Sequence, residues 1–140
     1  MQLRTWFNIF VLNDEQLFKY MEYNVTSIRP FIGSRNFEHS SNFYRDLGFN
    51  EISLGPKMSL FQNKKVGFYL QDYFLEDWVG NTMVFLEVEN LDQVYHDFFA
   101  LNLTAKYPEA KLVPIRVESW GREFFVHDPA GILWHFGEFK

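Results

Sequence analysis

The 140-residue sequence predicts an α+β fold of two tandem βαβββ modules forming a curved mixed sheet. Three observations predict it. The stretches Phe31 to Phe49 and Phe85 to Leu103 share one pattern at an offset of 54 residues: a short apolar strand, an asparagine, a helical periodicity, a breaker and an apolar residue. Each stretch is followed by three strand-like runs. In each half a tight turn signal joins the last two runs.

Taken in order, the first half opens with an apolar strand at Phe31. Asn36 then precedes the first helical pattern and Asn90 the second, where an asparagine side chain accepts early backbone N–H groups. Glu38 and Asp92 fall in the first turns, where the helix dipole favours negative charge. Gly48 and Asn102 suit the left-handed conformation that ends a helix. Strands are expected at Glu51–Leu54, Met58–Gln62 and Val66–Gln71, the last two joined through Asn63, Lys64 and Lys65. The second half repeats this with Lys111–Val117, Glu123–His127 and Ile132–Phe139, the last two joined by Asp128, Pro129, Ala130 and Gly131. Residues 1–25 lie outside the repeat and read as an N-terminal extension to a domain over 26–140. Within them Arg4–Leu12 has strand character, Asp14–Tyr23 reads as a short helix, and Met21 offers an alternative start.

Composition narrows the function. Hydrophobic residues make up 47% and charged residues 22%, which suits one domain with one core. There is no cysteine, which removes disulfides, thiolate zinc sites and cysteine nucleophiles and fits a reducing, cytoplasmic setting. The net charge of −5 argues against nucleic acid as a partner and favours cationic small molecules, though mild acidity also serves solubility alone. The run from Trp6 to Leu12 is too short to span a membrane, so none is expected as a partner. Aromatic residues reach 20%, more rings than a core needs; some are expected to line a site for a flat apolar ligand.

Several strings resemble a known family. Pro30, Arg35-Asn36, Ser40, Phe43-Tyr44 and Leu47-Gly48-Phe49 resemble the opening strand and helix of the glyoxalase/bleomycin-resistance/extradiol-dioxygenase superfamily. Asn81-Thr82 and Leu91-Asp92 with Tyr95 resemble the start of its second half. Trp120-Gly121-Arg122-Glu123-Phe124, then Asp128-Pro129-Ala130-Gly131 and His135-Phe136, resemble the C-terminal signature of bleomycin-resistance proteins. The resemblance covers roughly Thr26 to Phe139, and it implies a homodimer with clefts formed between subunits. After the first helix stands Leu54-Gly55-Pro56-Lys57, where the resembling proteins often carry acidic residues.

The superfamily's enzymes hold a metal through two residues on the first strands of the halves and two on the last. The resemblance puts Arg29, Met83, about Leu70, and His135 at those positions. An arginine and a leucine cannot ligate, and a thioether suits soft copper, so no metal and no cofactor are expected. His39 and His96 are expected on helix surfaces, and His127 as a cap for the turn it precedes. No serine sits in a nucleophile elbow, so the chain is not expected to be an enzyme.

The candidate ligand-binding residues are Trp120, Phe85, Phe74, Trp78, Glu87 and His135. Trp120 sits where a loop enters a strand, and the resemblance places it beside a drug cleft; covering the sheet edge is its other reading. Phe85 is a candidate for the cleft or for plain core, and is expected to share the face of Met83 only across a bulge. Phe74 and Trp78 belong to a loop that also carries Glu76 and Asp77, a composition suited to a cationic ring-bearing ligand or to a subunit interface. Strand alternation puts His135 and Trp134 on opposite faces, and the resemblance implies that His135 takes the cleft face, which leaves Trp134 to pack under a helix. The expected function is metal-free binding and sequestration of a bleomycin-type glycopeptide or a similar cationic aromatic molecule. The alternatives are a metal-dependent lyase or dioxygenase of the superfamily, and an interaction module without a small ligand.

Overall fold

The computed structural model of the chain describes residues 21–140. The strand expected over Arg4–Leu12 lies outside the described residues, as does most of the helix expected over Asp14–Tyr23. Residues 21–30 form no regular element, and the first strand begins at Phe31. The first module contains β1 (Phe31–Gly33), α1 (Phe37–Asp46), β2 (Asn50–Ser53), β3 (Met58–Asn63) and β4 (Val66–Gln71). A single helical turn, α2 (Glu76–Val79), leads to the second module. That module contains β5 (Met83–Glu87), α3 (Leu91–Ala100), a further turn α4 (Leu103–Lys106), β6 (Lys111–Val117), β7 (Gly121–His127) and β8 (Leu133–Phe139).

The tandem βαβββ expectation holds, with one four-stranded mixed sheet per module. The strand orders are β1-β4-β3-β2 and β5-β8-β7-β6. In each sheet the opening strand pairs in parallel with the closing one: Phe31 lies opposite Tyr69, and Phe85 opposite His135. The two helices start as their asparagines dictate. Asn36 accepts from the His39 N–H at 3.0 Å and Asn90 from that of Gln93 at 3.3 Å. Gly48 and Asn102 both adopt positive φ, and after Asn102 the chain enters α4 rather than a strand. Pro114 sits in the edge strand β6 where its pairing with β7 shifts register, a place that needs no N–H from it.

Strand alternation divides each sheet into a face under helices and an open face. Under the helices lie Ile32, Phe61, Phe68 and Leu70 of the first sheet and Phe124, Val126, Trp134 and Phe136 of the second. Trp134 is buried as expected, but it packs on the other module: its ring meets Tyr44, Phe49 and Phe68 at 5.3–5.9 Å.

A buried polar link joins the modules at this point. The Tyr44 hydroxyl donates to Asp128 Oδ2 at 2.6 Å and accepts from Trp134 Nε1 at 2.8 Å. Asp128 Oδ1 accepts the N–H groups of Ala130, Gly131 and Ile132 at 2.8–2.9 Å. Asp128, not His127, is therefore the cap of this turn: a carboxylate reaches three successive amides, whereas His127 follows the alternation of β7 onto the open face. His39 lies at the surface of α1 as expected, with its Nε2 3.4 Å from Glu109 and its ring edge-on to Tyr107. His96 is exposed on α3, as expected.

Tyr44→Phe would leave a buried carboxylate oxygen and a buried indole N–H without a partner. Such a loss costs about 2–4 kcal/mol. Urea unfolding should show a destabilisation of that size, and an unchanged midpoint would contradict the buried link.

Candidate functional site: the open face of the second sheet

Alternation along β5 puts Met83, Phe85 and Glu87 on one face, opposite Leu133, His135 and Gly137 of β8. Phe85 thus shares the face of Met83 without a bulge, contrary to expectation, because residues two apart in a regular strand point the same way. β7 sets Glu123, Phe125 and His127 alongside. The Phe85 ring lies across Gly137, where an added Cβ would sit 2.3 Å from it; only glycine lets the ring lie on the sheet. Trp120, just before β7, meets Phe85 edge-on at 5.7 Å and lies 5.0 Å from Phe139. Phe85 also runs along His135 at 6.1 Å. Met83 is 65% exposed, Phe85 44% and Phe139 53%, far above what apolar core residues show.

One polar pair interrupts this apolar surface. His135 Nδ1 lies 3.0 Å from Glu123 Oε1, and a carboxylate only accepts, so the proton of that bond is on Nδ1. Glu123 is buried, with Arg116 Nε 4.0 Å from its other oxygen. The Arg116 guanidinium covers the Phe125 ring at 4.9 Å, and Phe125 meets the His135 imidazole edge-on at 4.8 Å. Nearby, burial and the Lys111 ammonium lower the pKa of His127, so its imidazole is biased towards neutrality.

No family model and no curated protein matches the sequence. Solved structures do match the fold. The bleomycin-binding protein of Streptomyces verticillus, solved with copper(II)-bleomycin, superposes with a TM-score of 0.73 at 19% identity, over 85% of this chain and 100% of its own. The bleomycin resistance determinant encoded on transposon Tn5 gives 0.70 at 18% identity, over 83% of this chain and 99% of its own. A lactoylglutathione lyase from Agrobacterium tumefaciens gives 0.63 at 17% identity, over 82% and 95%.

This is the glyoxalase/bleomycin-resistance fold.

Within that fold the strand registers correct one expected metal position. Leu70 is fully buried on the helix face. The parallel partner of Phe31 is Tyr69, just as His135 is that of Phe85, so Tyr69 is the counterpart of His135. Unequal loops in the two halves hide this one-residue slip from counting. The four positions therefore hold Arg29, Tyr69, Met83 and His135, with Arg29 Nη1 3.4 Å from the Tyr69 hydroxyl. A guanidinium among the donors repels a cation and cannot ligate it, so these residues do not fit a divalent ion. Among the described residues, no three of His, Cys, Asp and Glu group in a way that could hold a metal.

Of the candidate ligand residues, the fold brings Trp120, Phe85 and His135 together. Glu87 stands exposed on the same face, one register step beyond Phe85. Phe74 and Trp78 make their contacts in the first module instead. The Phe74 ring lies 4.0 Å from the Arg35 guanidinium, and Trp78 fills the space over Gly33, where an added Cβ would lie 2.6 Å from the ring. The turn of α2 folds their loop back onto β1. Sequence reasoning missed Glu123, Phe125, Arg116 and Phe139. Five residues separate β7 from β8 and set Phe125 opposite His135 and Glu123 opposite Gly137, so counting outward from a five-residue connection would have found two of them.

Proposed function

We propose that the chain binds and sequesters a flat, ring-bearing cationic small molecule of the bleomycin type, using no metal of its own and performing no conversion. The observation that carries this reading is the open face of the second sheet: exposed aromatic rings around a single polar pair, the make-up of a small-molecule site. The net charge of −5 favours a cationic ligand, with Glu87 at the margin of the rings. Two proteins of the same fold are described as bleomycin-binding and as a bleomycin resistance determinant. Phe74 and Trp78 keep a place in this reading through a second copy, whose first module would close the cleft.

Pairing of two copies has its own support. The open faces expose apolar groups in both modules, including Phe31 at 51% in the first, and a two-fold partner would cover both at once. Among the described residues no helix is long and apolar enough to cross a membrane.

The lactoylglutathione lyase likeness favours a second reading, a metal-dependent enzyme, against which the donor set at the four positions stands. Metal analysis of protein purified without chelator separates the two. Less than a tenth of an equivalent of zinc, nickel, iron or manganese is expected; about one ion per chain, lost on His135→Ala, would sink the binding reading. Sedimentation at micromolar concentration should show a dimer, and a monomer would contradict the paired cleft.

Titration with metal-bound bleomycin tests the ligand itself. Stacking on an aromatic side chain is worth on the order of 1–3 kcal/mol, so Trp120→Ala should weaken binding roughly tenfold to a hundredfold while leaving the unfolding midpoint near that of the parent. A Trp120→Ala protein that binds as tightly as the parent would remove Trp120 from the site. A parent that does not bind the drug would remove the proposed function.

A further inference from the structure

The His135–Glu123 pair says more about the ligand than its shape does. Glu123 is 6% exposed on the open face of the sheet, an unusual place for a carboxylate, and its Oε1 holds His135 Nδ1 at 3.0 Å. That bond fixes the tautomer. With its hydrogen on Nδ1, a neutral imidazole presents a bare lone pair at Nε2. Nε2 has no hydrogen-bond partner among the described residues, nor is it one of the buried unpartnered atoms, which are Arg29 Nε, Ser40 Oγ and Ser41 Oγ. Among the described residues it is therefore open to a ligand. The ring that carries it is held along Phe85 and edge-on to Phe125, so the lone pair has a fixed direction beside an aromatic surface.

We propose that His135 Nε2 is the hydrogen-bond acceptor that selects the ligand. The molecule bound on this face is a flat aromatic carrying an N–H donor at its ring edge, as an amino-substituted heteroaromatic does. The inference rests on the binding reading above and adds a polarity rule to it. Glu123 is the positioning residue: it never touches the ligand and acts by holding the imidazole in one tautomer and one orientation. A ligand that stacks equally well but offers an acceptor or a methyl group at the same edge would leave Nε2 stripped of water and unpaired, which discriminates more strongly than the hydrogen bond itself attracts.

Two measurements test this. The first needs no ligand: long-range proton–nitrogen correlation spectra of the full chain in slightly alkaline buffer report which ring nitrogen of His135 carries hydrogen. The Nδ1–H tautomer is expected, with the Nε2–H tautomer appearing in Glu123→Gln, whose amide both donates and accepts. An Nε2–H imidazole in the parent protein overturns the proposal.

The second compares two isosteric probes, 2-aminobenzothiazole and 2-methylbenzothiazole, by calorimetry in the same buffer. The amino compound should bind at least about tenfold more tightly, because the avoided loss at Nε2 adds to one well-placed hydrogen bond. His135→Phe, which keeps a ring and removes the acceptor, should bring the two probes to equal affinity, with the methyl compound bound more tightly than by the parent because no acceptor is left stripped of water. Glu123→Gln should shrink the preference without abolishing binding. Equal binding of the two probes by the parent sinks this inference alone. Failure of both probes to bind sinks the aromatic-face reading on which it rests.

Discussion

The hydroxyl of Tyr44 is the atom on which the arrangement of the molecule turns. It is buried between the modules, donating to Asp128 and accepting from Trp134. Burial and the neighbouring carboxylate hold the phenol far above its ordinary pKa, so it stays a donor. Burial also raises the pKa of Asp128, which four hydrogen bonds oppose by stabilising its charged form. Through its other oxygen Asp128 gathers three amides of the following turn. One side chain of α1 thus reaches across to fix the hairpin that builds the second module's open face.

That fixing has a consequence for function. Side chains alternate with period two along a strand, so a slip of one residue in the β7–β8 hairpin would exchange its two faces. Trp134 would turn outward, and His135 would be driven into the core. The indole N–H bond to Tyr44 forbids this, because it ties Trp134 to the helix side at one position. Every neighbour of Trp134 on that face then sends its own neighbours to the open side. The open face is in this sense assembled by the core: the exposed rings owe their placement to a buried triad on the other side of the sheet.

Much of this was legible in the sequence. The 54-residue offset, the two asparagine caps and the turn signals carried the tandem fold because each reflects a local requirement of backbone geometry. The opposite fates of Trp134 and His135 followed from alternation. What escaped depends on contacts between distant segments. The slip from Leu70 to Tyr69 arose because parallel pairing, not chain position, decides which residues correspond. Composition alone groups Phe74 and Trp78 with Trp120, but aromatic and acidic content does not say which way a loop folds, and one short helix turns it onto the first module. Glu123 looked like part of a signature string; its role as the partner of His135 emerges only when β7 and β8 are laid side by side.

The division of labour between the two faces of the second sheet is the central claim, and fluorine NMR of protein labelled with fluorotryptophan tests it most directly. The chain holds four tryptophans, Trp6, Trp78, Trp120 and Trp134, assignable by single replacement with phenylalanine. On titration with metal-free bleomycin the Trp120 resonance should move progressively with occupancy, while the Trp134 resonance, locked to Tyr44, stays where it is. A Trp134 signal that tracks the ligand while that of Trp120 stands still would show that the binding face and the supporting face have been assigned the wrong way round.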